Sequence, residues 1–278
     1  NSDGVKSVNK ISKIGNNNKF IDYETQYQNA NYIIITHSSL WAQAQQYANY
    51  RISTGYDVAL IDIDQLYNQY AWGVNKHPAA IRNFLKALFE ISEMERHVFL
   101  LGKAIHTRLT RNAPEIYKEC LVPSAGHPAS DNIFTINFKD NNYYPIYPIG
   151  RLAAYDQEDV AEYLKKVMQY ETAPTDEWMK TILHFGGGAN AAEQASFASY
   201  LNNYKNIIED TLYGGKVSTF LKNSSEPIQI TQSDSITNLI NNGSSIITFF
   251  GHAHAGGFDQ NIDFPQNYNN TGKYPFIF

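Results

Sequence analysis

Cysteine is all but missing from this chain: among 278 residues there is one, Cys120. A single thiol forms no internal disulfide and supplies no thiolate cluster for zinc. Long apolar runs are missing too. None approaches the roughly 20 residues a bilayer-spanning helix needs, so no transmembrane segment is expected. Charged residues make up only 18% of the chain, the net charge is −5, and no block of Lys and Arg stands out. That excludes the usual electrostatic footprint of a nucleic-acid partner. The chain opens Asn1-Ser2-Asp3 with neither a Met nor a signal-peptide pattern, and is expected to be a segment whose true start lies elsewhere. What is present suffices for one large core or two modest ones, with 43% hydrophobic residues and 14% aromatic. A sparsely charged, Asn- and Tyr-rich surface fits a secreted or cell-surface protein.

Residues 1–30 are polar and Asn-rich and read as a linker or peripheral segment. From Tyr32 a repeating pattern begins. Tyr32-Ile33-Ile34-Ile35-Thr36 is a β-branched run suited to a strand buried on both faces. A helix is expected over Leu40 to Ser53, with Ser38 or Ser39 as cap, and Val58 to Asp62 reads as the next strand. Pro78 opens a helix over Ala79 to Ile91 with Ile81, Phe84, Leu85 and Leu88 on one face, and His97 to Gly102 is a third strand. The pattern weakens from Lys103 to Tyr147, where a strand is expected at Ile133 to Phe138. It resumes with Ile149-Gly150-Arg151-Leu152 and a helix after Asp156. Next come a strand at Lys180 to Phe185, Gly186-Gly187-Gly188, a helix from Ala191 to Leu212, and a strand at Val217 to Leu221. A short helix from Ser233 or Asp234 and a strand at Ser245 to Phe250 lead into the loop Gly251 to Gly257. Tyr274 to Phe278 reads as a buried strand, an unusual place for a domain to stop. Strands alternating with helices predict an α/β chain with mostly parallel sheets in two subdomains. The expected boundaries are 31–147 for the first and 148–278 for the second.

In open α/β sheets chemistry gathers at the carboxyl ends of strands, which selects three features. The first is Gly251-His252-Ala253-His254-Ala255-Gly256-Gly257. Its two histidines suit a general base or metal ligands, and its small residues admit a substrate backbone. The plain alternative is a tight turn whose histidines satisfy nearby backbone groups. His-x-His also fits a metallohydrolase, with Asp259 and Asp263 the nearest carboxylates, but no Asp-His follows. The second feature, Gly186-Gly187-Gly188, lacks the Lys-Ser/Thr of a phosphate-binding loop and reads as a turn needing close backbone approach. The third, Cys120, sits beside Glu119 among apolar residues, which suits a structural thiol better than a nucleophile.

Taken in order, five segments resemble the gingipain family of cysteine peptidases, known from secreted proteins of the Bacteroidetes and from the sortase of their type IX secretion system. They are Asn31 to Gly55 with Asp64-Gln65-Leu66-Tyr67-Asn68; Ala80-Ile81-Arg82-Asn83-Phe84-Leu85; Ser130-Asp131-Asn132-Ile133-Phe134 leading to Ile149-Gly150-Arg151-Leu152, then Tyr170-Glu171 and Trp178-Met179-Lys180; Gly243 with Phe250-Gly251-His252; and Pro275-Phe276-Ile277-Phe278. The resemblance implies a caspase-like fold of two α/β subdomains, with peptide-bond hydrolysis or transpeptidation by a Cys/His dyad on a protein or peptide substrate. His252 would be the catalytic histidine and Ala253 the donor of an oxyanion-hole N–H. The nucleophilic cysteine would follow a Pro-Phe-x-Phe strand, so the chain is expected to stop just short of it and to be inactive in isolation.

The pattern departs from the family in three places. The usual Gly-His-Gly is Gly-His-Ala here. The glutamate that neighbours the histidine in the family falls at Gly186. The acid that confers arginine preference has only Glu193 nearby, so Gly186, Gly187 and Glu193 are the candidate substrate-pocket residues and arginine preference is not carried over. No cofactor is implied, although some gingipains hold structural calcium; other secretion-system or cell-surface proteins are conceivable partners. Two further readings stand beside the peptidase: a gingipain-fold binding module without catalysis, and the His-x-His metallohydrolase.

Overall fold

The computed structural model of the chain describes residues 19–106, 108–109, 113–139, 143–224, 229–230, 234–254 and 257–278. The chain divides into two compact units, Asn1–Leu164 and Lys165–Phe278. Each is built on its own four-stranded, all-parallel sheet.

In the first unit, α1 (Tyr23–Gln26) precedes β1 (Tyr32–Thr36), α2 (Trp41–Ser53), β2 (Val58–Asp62), α3 (Ile63–Tyr70), α4 (Ala79–Ile91), β3 (His97–Leu101) and β4 (Ile149–Leu152). The sheet order is β2-β1-β3-β4. β1 lies between two partners, pairing Ile33 with Ala59 and Val98, and Ile33, Ile34 and Ile35 are fully buried. That is the expected fate of a β-branched run covered on both faces. α4 buries Ala80, Ile81, Phe84, Leu85, Leu88 and Phe89 in the same core. Tyr23 and Ala30 are buried there as well, so the described end of the 1–30 segment is packed core and not a peripheral linker. α2 begins at Trp41, after a 3₁₀ turn over Ser38–Leu40 that is capped by the His37 ring instead of by a serine.

Two local expectations fail for physical reasons. Residues 133–138 form no strand: Asp131–Phe134 is a 3₁₀ turn and Asn137 has φ 55°. Three of their carbonyls are taken by a side chain instead of a sheet ladder, and that of Thr135 accepts from Ile146 N–H at 2.9 Å. The Arg82 guanidinium donates to the carbonyl oxygens of Ile133, Ile136 and Asn137 at 2.8, 2.6 and 3.4 Å. β4 pairs with β3 through Val98–Ile149 to Leu101–Leu152. It therefore completes the first sheet, whereas the sequence pattern opened the second subdomain at 148. α5 (Gln157–Thr172) carries the chain across the division at Leu164.

The second unit contains β5 (Thr181–Gly186), α6 (Ala191–Ile208), β6 (Lys216–Leu221), β7 (Gln229–Ile230), α7 (Asp234–Asn242), β8 (Ile246–Phe250), β9 (Ala253–His254), β10 (Gly257–Phe258), β11 (Gln260–Asn261) and β12 (Phe276–Ile277). Its main sheet runs β12-β8-β5-β6. β5 is the buried central strand, and Leu183 and Phe185 pack with Ile236, Ile240 and Ile247. β9 and β10 form a small antiparallel pair, and β11 runs parallel to β7. Phe276 and Ile277 pair with Ile246 and Ile247 at the sheet edge but remain 55% and 57% exposed. The strand expected there exists; its burial does not.

Candidate active site

The register of the second sheet brings the ends of three strands level. Gly186 lies opposite both Leu221 and Phe250. The residues that follow, Gly187-Gly188, Lys222 and Gly251-His252, therefore emerge together at the carboxyl edge. Backbone bonds bind them further: Gly187 N–H donates to the Phe250 carbonyl at 2.9 Å, and Lys222 N–H to the Gly186 carbonyl at 2.7 Å.

After His252 the β9–β10 pair turns the chain back, and Asp259 N–H donates to the His252 carbonyl at 2.9 Å. This return delivers the Asp259 carboxylate beneath the histidine. Oδ2 accepts from Gly188 N–H at 2.8 Å and from His252 N–H at 3.2 Å. It also lies 3.2 Å from His252 Nδ1. The Asp259 side chain is 7% exposed, against 56% for His252. A buried carboxylate accepts and does not donate, so the ring hydrogen belongs on Nδ1. Nε2 is then the nitrogen able to take a proton. Burial alone would push the Asp259 carboxyl up. The N–H groups of Gly188 and His252, the His252 ring and the Lys222 charge outweigh it and hold the group below the ordinary aspartate value.

An aromatic cluster borders the histidine. The Phe197 ring on α6 lies 5.8 Å from the His252 ring and 5.2 Å from Phe250, and Tyr200 and Tyr204 also pack against Phe250.

The remaining residues singled out in the sequence fall as follows. Ala253 is in β9, opposite Phe258, and is not among the described non-glycine residues with positive φ. An alanine N–H therefore fits there without backbone strain. His254 contributes its backbone to β9, and Gly257 opens β10 with φ 122°. Gly256 lies outside the described residues. Glu193 caps its own helix: it accepts from Ala189 N–H at 2.8 Å while Asn190 accepts from Glu193 N–H at 3.0 Å. This resembles a capping box with the return bond shifted one residue, to the N–H before the N-cap Asn190, and it ties one oxygen of the carboxylate to the helix start. Gly186 is hemmed in, since a Cβ there would come within 2.8 Å of Leu221 and 3.0 Å of Leu201. Cys120 belongs to the first unit, is 4% exposed, and accepts at Sγ from Ile105 N–H at 3.4 Å. It is a buried structural thiol. Among the described residues no group of three or more His, Cys, Asp or Glu is placed to hold a metal.

Asp259 is the residue sequence reasoning misplaced, having weighed it only as a metal carboxylate. No local spacing announces its contact with the histidine. The signal available was indirect: two glycines, Gly187 and Gly251, at the ends of neighbouring strands. A Cβ at Gly187 would lie 1.8 Å from Asp259 Oδ1, and one at Gly251 would lie 2.4 Å from it.

Comparison with known proteins fits this geometry. The model of peptidase family C25 matches residues 25–278. No curated protein matches the chain. Among solved structures, that of the Arg-specific cysteine proteinase gingipain R (RgpB) is similar with a TM-score of 0.64 and 20% identity, over 90% of this chain and 54% of that one. The complex of Porphyromonas gingivalis RgpB pro- and mature domains gives a TM-score of 0.64 and 20% identity, over 89% and 54%. A third, described as a protease, gives 0.61 and 14%, over 92% and 54%. The chain thus spans about half the length of these structures. At such identities the likeness shows the fold, the caspase-like arrangement of the gingipains, with two parallel sheets flanked by helices. Cysteine peptidases of this family act on proteins and need no cofactor. The chain belongs to peptidase family C25, the gingipain family, and is a cysteine peptidase-like domain.

Proposed function

We propose that this chain supplies the histidine half of a cysteine endopeptidase site, with His252 as the proton-transfer group and Ala253 as an oxyanion donor. The observation that carries the reading is the position of His252. It stands at the carboxyl edge of a parallel sheet, directly after β8, in a chain of family C25. In the proposed reaction Nε2 takes the proton of a cysteine thiol and the thiolate adds to the scissile carbonyl carbon. The oxyanion that forms is met by the Ala253 N–H. Collapse breaks the C–N bond, the imidazolium returns its proton to the leaving amine, and water then hydrolyses the thioester. The nucleophile is a cysteine other than Cys120, belonging to a longer polypeptide that includes this chain. Substrates are proteins or peptides met outside the cell, and partners in a cell-surface or secretion assembly fit the same setting.

The test uses the full open reading frame. A peptidyl chloromethyl ketone or epoxide is expected to label one cysteine beyond this chain. His252→Ala should abolish labelling and Cys120→Ala should leave it unchanged. Labelling that persists in His252→Ala, or peptide cleavage by the chain alone that depends on Cys120, would overturn the assignment.

A further inference from the structure

We infer that Asp259 is the positioning residue for His252, taking over the task of the acidic neighbour that the resemblance places at Gly186. The inference rests on the peptidase reading for its kinetic consequence but not for its structural one. Four observations carry it. First, one oxygen of a nearly buried carboxylate meets both the backbone N–H of His252 and its ring Nδ1, each at 3.2 Å. A single group thus sets both the loop and the ring it bears. Second, the same oxygen accepts from Gly188 N–H at 2.8 Å, which ties the β5–α6 loop to the β8–β9 loop. Third, Gly187 and Gly251 form a slot around this carboxylate that side chains would fill. Fourth, at the position the resemblance assigns to a glutamate, a Cβ would meet the methyl ends of Leu221 and Leu201 at 2.8 and 3.0 Å, so a side chain at 186 would require both leucines to shift. Room for the carboxylate has moved from one loop to another.

The charged groups facing Asp259 agree with this role. Lys222, directly after β6, is 3% exposed, and its ammonium has no hydrogen-bond partner among the described residues. Its charge acts on Asp259 and favours the ionised carboxylate. An ionised, anchored acceptor holds the imidazole in its Nδ1–H form and stabilises the imidazolium that forms when Nε2 takes a proton. It follows that the glycine at 186 does not by itself argue for a domain that has lost catalysis.

The test separates the two dependencies. Nitrogen-15 NMR of histidine-labelled chain, at about pH 8 and so above the ordinary histidine range, reports which ring nitrogen carries the hydrogen. The His252 signal is assigned by its loss in His252→Gln. The Nδ1–H form is expected in the parent, and the Nε2–H form should gain in Asp259→Ala. Gly187→Ala should do the same while keeping the acid, because its Cβ occupies the place of Oδ1. Should Asp259→Ala not fold, Gly187→Ala carries the test. In the full-length enzyme Asp259→Asn should lower kcat about 10²–10⁴-fold with little change in KM. An unaltered tautomer in the folded variants would overturn the inference and leave Asp259 a loop clamp. A changed tautomer in a full-length protein without peptidase activity would uphold it and sink the peptidase reading instead.

Discussion

Arg151 offers the sharpest test of what holds the first unit together. A guanidinium has five N–H donors, and here all are engaged. Nε and Nη2 reach the two Asp131 oxygens at 2.7 and 2.9 Å; Nη1 reaches the carbonyls of Gly102 and Val122 at 2.7 and 2.8 Å; Nη2 also reaches that of Pro123 at 3.0 Å. The side chains are only 13% and 20% exposed. Arg151→Met keeps the packing length but strands the Asp131 carboxylate and three carbonyls. Breaking such a pair on one side costs about 3–5 kcal/mol, because the remaining charge stays poorly solvated. A domain's whole stability is roughly 5–15 kcal/mol. Hydrogen exchange at stepped urea concentrations would read it, with peptides from β1 and β3 as reporters and those from β5 and β8 as internal control. With slopes of about 1–3 kcal/mol per molar urea, opening of the first sheet should move down by on the order of 1–5 M while the second sheet stays put. Arg151→Lys should lose most of the same stability, since an ammonium cannot serve a carboxylate and three carbonyls in one plane. Arg151→Met combined with Asp131→Leu should recover part of it, because no charge is left behind. A cost below about 1 kcal/mol for Arg151→Met, or strict additivity of the two changes, would refute the reasoning.

Two further outcomes are expected. His184, buried on β5 with Nδ1 unpartnered among the described residues, has its pKa lowered from 6.5 by burial and then by Lys205. A folded-state value below the unfolded one means stability present in full above about pH 6.5 and lost as pH falls through the folded value. His184→Leu should flatten that loss, by up to about 1.4 kcal/mol per pH unit; urea midpoints at pH 7.5 and 5 that differ as much in the variant as in the parent would count against it. Gly243 has φ 105°, and a Cβ there would come within 2.8 Å of both Trp178 and Lys273. Gly243→Ala should therefore cost about 1–3 kcal/mol in the second unit and alter Trp178 fluorescence, and an unchanged urea midpoint would contradict it.

The two parallel sheets could be read from the sequence where local pattern and tertiary fate coincide. The Ile33-Ile34-Ile35 run is apolar without alternation because β1 has a strand on each side. The α4 stripe shows because Ile81, Phe84, Leu85 and Leu88 all face one core. The pattern misled where side chains, not ladders, satisfy the backbone. Residues 133–138 carry apolar residues at strand-like spacing, yet Arg82 takes three of their carbonyls and Arg151 takes Asp131. It also misled at 148, because pairing with β3 is a long-range contact that periodicity does not encode.

The candidate site divides the same way. The position of His252 could be read because a strand ending in Gly-His is a local event, and the sheet's own geometry puts it at the carboxyl edge. Its carboxylate could not be found by analogy, since the position where the resemblance expects one holds Gly186 between two leucines. Nor does distance along the chain help: Asp259 is seven residues on, and it reaches the ring because β10 runs back antiparallel to β9 and sets the carboxylate against Gly187. The two neighbouring glycines, one standing where the resemblance expects a glutamate and the other in the turn that follows it, thus have different explanations. At Gly186 a Cβ would press on the methyl ends of Leu201 and Leu221, whereas at Gly187 a carboxylate lies where the side chain would be. A substitution at each separates them: Gly186 variants should disturb packing against Leu201 and Leu221, while Gly187 variants should act on the histidine.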